Sequence, residues 1–145
     1  MSAIWTPEDS DAVAELSDEE CWSLLAETEV GRLAASVANV PDIFPVNHVV
    51  DGHTLLVRTA EGTKLLEMTI NSYVAYEIDG WDAEYAWSVV VRGNASVLDK
   101  QADILRASSL GLRTWAPTLT TRFVRITPMV ITGRRIRRDG VEYWV

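Results

Sequence analysis

The sequence holds one cysteine and two histidines among 145 residues. Cys21 therefore has no partner for an internal disulfide, and cysteines alone can build no zinc site. His48 and His53 flank Asp51 across a turn, but that spacing fits no standard metal-ligand pattern. Eight glycines and five prolines are too few for a collagen-like or linker-like chain. No apolar run approaches the roughly twenty residues that span a bilayer. Lysine and arginine are missing from residues 1–30, which hold nine acids. With Glu8, Asp9 and Asp11 where a basic leader would stand, the N-terminus predicts no secretory signal and a cytoplasmic protein. Gly-x-Ser-x-Gly, a Walker loop, and Gly-x-Gly-x-x-Gly after a strand are all absent, which disfavours a serine hydrolase, a P-loop NTPase and a Rossmann fold.

What is present is ordinary globular composition, 48% apolar and 23% charged, in a length that suits one core. The net charge of −8 disfavours nonspecific nucleic-acid binding. The charge is uneven: residues 122–138 hold six of the eleven arginines. They make either an anion-binding surface or a solvated strand face paired with acids elsewhere, and charge runs more often face water.

Residues 1–16 read as an acidic arm with Trp5 as an anchor, and 17–145 as a single domain. Ser17 and Glu20 make a capping box that opens a helix over 17–28. Leu16 and Cys21 stand at hydrophobic-staple positions, with Cys21, Leu24, Leu25 and Thr28 inward. Gly31 breaks the helix. Strands are expected over 32–37, 43–50 and 54–59, with turns at Asn39–Asp42 and Asp51–Gly52. Pro45 cannot donate a ladder hydrogen bond, so it predicts a bulge or an edge. A short helix over 62–70 places Leu65, Leu66 and Ile70 inward. Strands follow over 73–79 and 85–98, the second with a bulge or bend at Gly93. A helix over 100–112 has Ile104, Leu105, Ser108 and Leu112 as its stripe. Residues 121–137 read as a strand pair interrupted by Pro128 and Gly133. Strands linked by hairpins, with few helices, argue for a mainly β fold: an antiparallel, Greek-key-like barrel.

The most informative stretch is Arg58-Thr59-Ala60-Glu61-Gly62-Thr63-Lys64-Leu65. A strand end, a glycine and a helix start bring together two cations, two hydroxyls and free amides. A dianionic phosphate wants these groups. A solvent-facing turn with a capped helix is the commoner origin of such a pattern. Two further stretches offer ligand contacts. Phe44-Pro45-Val46-Asn47-His48 breaks a ladder beside a donor and an acceptor, and Trp87 and Ser88 point to opposite faces of one strand.

Together with Val30-Gly31-Arg32-Leu33-Ala34 and Trp87-Ser88-Val89-Val90-Val91-Arg92-Gly93, these motifs resemble the pyridoxamine 5′-phosphate oxidase-like superfamily of FMN-binding split barrels. Within it the sequence is similar to the small bacterial nitroimidazole-resistance-type branch, over roughly residues 15–135. The resemblance implies a homodimer of split β-barrels with FMN in clefts at the subunit interface. It puts Thr59, Thr63 and Lys64 on the phosphate, with Arg58 and Gly62 beside them. It lays the strand of Pro45, Val46, Asn47 and His48 along the isoalloxazine ring. It gives Ser88 a ring-contacting place, with Trp87 its neighbour, and gives the arginine-rich strand a role in barrel closure. The C-terminal segment by which true pyridoxamine phosphate oxidases bind substrate phosphate has no counterpart, so vitamin B6 oxidation is not implied. The activity implied is an FMN-dependent oxidoreductase passing electrons from a reduced nicotinamide to a small acceptor. Other readings are a non-catalytic flavin carrier or redox sensor, a deazaflavin- or haem-binding relative, and a barrel whose site has decayed.

Overall fold

The computed structural model describes residues 13–113 and 121–138. In chain order the elements are β1 (Val13–Glu15), α1 (Asp18–Glu27), β2 (Val30–Val37), β3 (Val40–Asp51) and β4 (Thr54–Ala60). After these come α2 (Thr63–Ile70), β5 (Tyr73–Trp81), β6 (Tyr85–Val97), α3 (Gln101–Ser108) and β7 (Thr121–Arg137). Every strand pairing is antiparallel. The sheet runs β1-β7-β4-β3-β2-β5-β6, and β6 also pairs with β7, which closes a barrel. The long β7 makes the split. Its first half pairs with β4 from Thr121 to Ile126, while Arg134–Ile136 pair with β1 instead. One continuous β7 thus replaces the expected strand pair. Register slips only between Arg92 and Gly93 of the facing β6, which is where the bulge was expected.

The chain turns twice on tight hairpins. Ala38 and Asn39 take positive φ of 51° and 64°, so the first turn is primed and precedes the expected position, with Val40–Asp42 already in β3. The second turn uses Gly52 (φ 61°) and His53, while Asp51 pairs with Thr54 as strand. Pro45 lies in register opposite Arg32, without a bulge. There β3 pairs with β2 alone, since pairing with β4 begins at His48, so Pro45 occupies an open edge.

Ser17 caps α1 in the expected capping box, accepting from the Glu20 amide at 3.2 Å while Glu20 Oε1 accepts from the Ser17 amide at 3.1 Å. Leu16 and the Cys21 thiol meet over Gly133, so the staple seats α1 on β7. Burial pushes the Cys21 thiol pKa up, consistent with a small core hydrophobe. Gly31 is a strand residue of β2, not a helix breaker. The ring of Tyr76 lies where a Cβ at position 31 would be.

The barrel interior holds Leu33, Leu55, Val57, Tyr76, Ile78, Val89, Val91, Val124 and Ile126, and Leu25 of α1 plugs one end. Fully burying each aliphatic side chain contributes about 1.5–3 kcal/mol. Leu56 alternates outward and seeds a second cluster with Leu98, Ala107, Leu112 and Phe123 beneath α3. Helix α3 ends at Ser108 rather than 112, ahead of Gly111 at φ 74°. It buries Ala107 and leaves Leu105 exposed. In α2 the buried residue is Met68, with Leu65 beside it. Leu66 and Ile70 face outward at 59% and 62% exposure. They share an i, i+4 stripe opposite the one that holds 65 and 68, which an eight-residue helix cannot also bury.

A further difference lies in the acidic arm, whose residues Val13–Glu15 form β1, while 1–12 lie outside the described residues. The arginine-rich strand follows the solvated-face reading. Arg125 binds Asp51, Arg122 binds Glu61, Arg135 stacks over Tyr85, and Arg138 donates to the Asp82 carbonyl. Among the described residues no helix is long and apolar enough to cross a membrane.

Candidate functional site

Where β4 runs out, the chain crosses Glu61 and Gly62 into α2 and bounds a pocket of about 430 Å³. Its walls are Pro45–Asn47 of β3, Arg58–Ala60 of β4, the Glu61–Lys64 turn and Arg113 beyond α3. Gly62, at φ 155° and ψ −155°, occupies a region that L side chains rarely adopt, and a Cβ there would meet nothing within 4 Å. It is the N-cap of α2 and offers no side-chain cap. The first intrahelical bond runs from the Leu66 amide to the Gly62 carbonyl, so the amides of Thr63, Lys64 and Leu65 have no helical partner. The partial positive end of a helix thus opens beside the pocket.

The cations are held by packing rather than by carboxylates. Arg58 Nε donates to Thr121 Oγ1 at 2.8 Å, and its guanidinium lies 5.1 Å from the Phe123 ring centroid. Lys64 Nζ lies 4.6 Å from the Phe44 ring centroid. Among the described residues neither of them, nor Arg113, makes an ion pair. The one acid of the turn, Glu61, accepts from Arg122 Nε at 2.8 Å. Among the described residues, positive charge in the pocket is therefore left without a counterion. Thr59 is buried at the end of β4, and its hydroxyl donates weakly to the Ala60 carbonyl at 3.4 Å. This set suits a phosphate ester: charged donors, hydroxyls and helix amides, with no side chain blocking the approach at Gly62.

Pro45, Val46, Asn47, Arg58, Thr59, Gly62, Thr63 and Lys64 are brought together here. His48, Trp87 and Ser88 do not line this pocket. The His48 side chain leaves β3 on the face opposite Asn47 and enters the core. Its Nε2 donates to the Leu25 carbonyl at 2.8 Å, which leaves Nδ1 to accept from the Tyr76 hydroxyl at 2.5 Å. Burial pushes the His48 pKa down, against the opposing pull of the Leu25 carbonyl, and burial also raises that of Tyr76. His48 is thus a neutral clamp joining α1, β3 and β5, rather than a group beside a ligand ring. The Trp87 indole covers Gly80 and faces a separate open groove of about 890 Å³ beside α1, where Trp22 stacks on His53 with centroids 5.2 Å apart. Ser88 sits between Asp79 and Arg134 in the ladder. Arg113 was missed from the sequence. It lies 49 positions beyond Lys64 and reaches the pocket only through the docking of α3. No local motif marks it.

Split-barrel topology and a cationic turn at one open strand edge describe the chain, and residues 17–135 match the pyridoxamine 5′-phosphate oxidase family, to which the chain belongs. Among solved structures, a Corynebacterium glutamicum protein assigned as a pyridoxamine 5′-phosphate oxidase is 41% identical with a TM-score of 0.81, over 86% of this chain and 98% of that one. An FAD binding protein from Mycobacterium smegmatis is 46% identical with a TM-score of 0.73, over 85% of this chain and 98% of that one. A Bacteroides thetaiotaomicron protein assigned to 5-nitroimidazole antibiotic resistance has a TM-score of 0.73 at 12% identity, over 86% of this chain and 89% of that one, a likeness of fold alone.

Proposed function

We propose that this chain binds a flavin nucleotide and that the Arg58–Lys64 turn holds its phosphate. The observation that carries the reading is the pocket's uncompensated positive charge, Arg58 and Lys64 without an ion-pair partner among the described residues, set at the uncapped start of α2. The similar Mycobacterium smegmatis protein binds FAD. FMN and FAD share a phosphate on the ribityl 5′ oxygen, so one cradle serves either, and the FMN implied by the family resemblance widens to both.

In this reading Lys64 and Arg58 contribute charge, Thr59 and Thr63 hydroxyls, and the first α2 amides further donors. Pro45 and Val46 offer an edge against which a planar ring can lie. When bound, flavin supplies hydride and electron transfer at its ring, and the protein supplies position and electrostatics. We extend the reading to an oxidoreductase that draws electrons from a reduced nicotinamide, working as a homodimer. Exposed Tyr73, Met129 and Val130 on β5 and β7 offer apolar surface for a second copy. The test is equilibrium binding of FMN, FAD and riboflavin, followed by anaerobic NADPH. Retained FMN or FAD with weak riboflavin supports the phosphate reading, and bleaching by NADPH supports turnover. Retention without bleaching leaves a carrier, and no retention of any flavin ends the proposal.

A further inference from the structure

Asn47 lines the pocket yet is only 6% exposed. Its Nδ2 donates to the Arg113 carbonyl at 3.4 Å. Its Oδ1 is shielded from solvent and has no hydrogen-bond partner among the described residues. Turning the amide over would set Oδ1 against the Arg113 carbonyl, two acceptors face to face, so a flip does not relieve the deficit. Strand alternation fixes the side chain on this face, because His48 takes the other. A buried acceptor without a donor is uncommon in native proteins and calls for an explanation.

We infer that Asn47 is a specificity-determining residue whose Oδ1 accepts a hydrogen bond from an N–H or O–H of the phosphate-bearing ligand. This rests on the flavin reading of the same pocket and deepens it. The phosphate cannot satisfy Oδ1, because near neutral pH it presents mainly acceptors. The donor must come from the rest of the ligand. Oxidised isoalloxazine has one N–H, at N3, and the ribityl chain has hydroxyls. Asn47 therefore distinguishes a flavin nucleotide from inorganic phosphate, which the cradle alone does not.

The experiment compares wild type, Asn47→Leu and Asn47→Ala. Dissociation constants are measured for FMN, for FMN methylated at N3 and, by phosphorus NMR, for inorganic phosphate. Thermal unfolding without ligand checks the fold of each variant. The expected result is about a tenfold or greater loss of FMN affinity in either folded variant. Phosphate affinity stays within about twofold, since Arg58, Thr59, Thr63 and Lys64 are untouched and only the long Nδ2 bond to the Arg113 carbonyl is lost. If N3-methylation costs wild type the same factor and costs the variants nothing, the donor is the ring imide. If methylation is silent in wild type, the donor is a ribityl hydroxyl. FMN bound equally by wild type and variants overturns the inference while leaving the flavin reading intact, as does an equal loss for FMN and phosphate. Failure of wild type to bind FMN overturns both.

Discussion

The imidazole of His48 meets the phenol of Tyr76 edge to face, with ring centroids 5.1 Å apart and planes at 81°. The short Nδ1–Oη contact and the Nε2 bond to Leu25 make this pair the tie between α1 and two strands of the barrel. Both groups are buried, so the pair is a structural network rather than a tuner of bound ligand. His48→Ala should destabilise the fold by about 2–4 kcal/mol, through a cavity and the loss of both ring hydrogen bonds, which leaves the Tyr76 hydroxyl only the Val46 carbonyl at 3.3 Å. Flavin affinity measured well below the melting temperature should change little. Chemical denaturation and a flavin titration separate the two effects. Loss of affinity in a fully folded variant would contradict the assignment.

The same clamp sets a pH dependence. The folded pKa of His48 lies below its unfolded value near 6.5, so the unfolded chain binds the extra proton. Its stabilising contribution is full above about pH 6.5 and is lost as pH falls toward the folded value. Glu77 acts with opposite sign. Burial and the neighbouring Asp79 raise its pKa to about 7, so its contribution fades as pH rises through that value. The two partly cancel in wild type. In Glu77→Gln, stability should therefore fall more steeply between pH 7 and 5. Denaturation midpoints across that range decide the matter, and an unchanged slope would refute the sign assigned to Glu77.

Gly31 is required by that clamp. A Cβ at position 31 would lie 2.4 Å from Tyr76 Cζ, and the ring cannot retreat without breaking its bond to His48. Gly31→Ala should cost about 1–3 kcal/mol by overpacking. The double variant Gly31→Ala with Tyr76→Phe should not add the two costs, because both act on one network. Additive losses would show the contact to be soft.

Asp51 ties the second core to the barrel. It accepts from Arg106 Nη2 at 2.7 Å and from Arg125 Nη1 at 3.0 Å, linking α3 to β7. Those hydrogen bonds, Arg106 first, hold its pKa below the usual carboxylate range. Asp51→Asn should cost about 1–2 kcal/mol, discounted because the Arg106 side chain is mostly solvent-exposed. Since α3 carries Arg113 toward the pocket, hydrogen exchange in α3 should quicken in this variant. Unchanged exchange would show that Leu56 and Phe123 suffice to hold the helix.

Much of this was legible in the chain. The Ser17–Glu20 capping box, the strand alternation and the Arg58–Lys64 turn are local signals, and each lies where its residues indicate. Signals failed where tertiary contact overrides local chemistry. Gly31 reads as a breaker because its neighbour Tyr76 is 45 residues away. Leu66 and Ile70 read as inward because an eight-residue helix has two apolar stripes and the barrel covers one. His48 reads as a ligand contact because it adjoins Asn47, yet consecutive strand residues face opposite ways. Arg113 carries no local mark at all, and only the packing of α3 brings it to the pocket.

The central claim is that the Arg58–Lys64 turn reads a flavin's phosphate. The most direct measurement is the affinity of FMN and of riboflavin for wild type and for Lys64→Ala, both variants first shown to be folded. Loss of one charge-assisted contact should weaken FMN by about 1.5–3 kcal/mol, roughly 10- to 150-fold, while riboflavin affinity stays within about twofold. Equal losses for the two ligands, or FMN bound by Lys64→Ala as tightly as by wild type, would contradict the account.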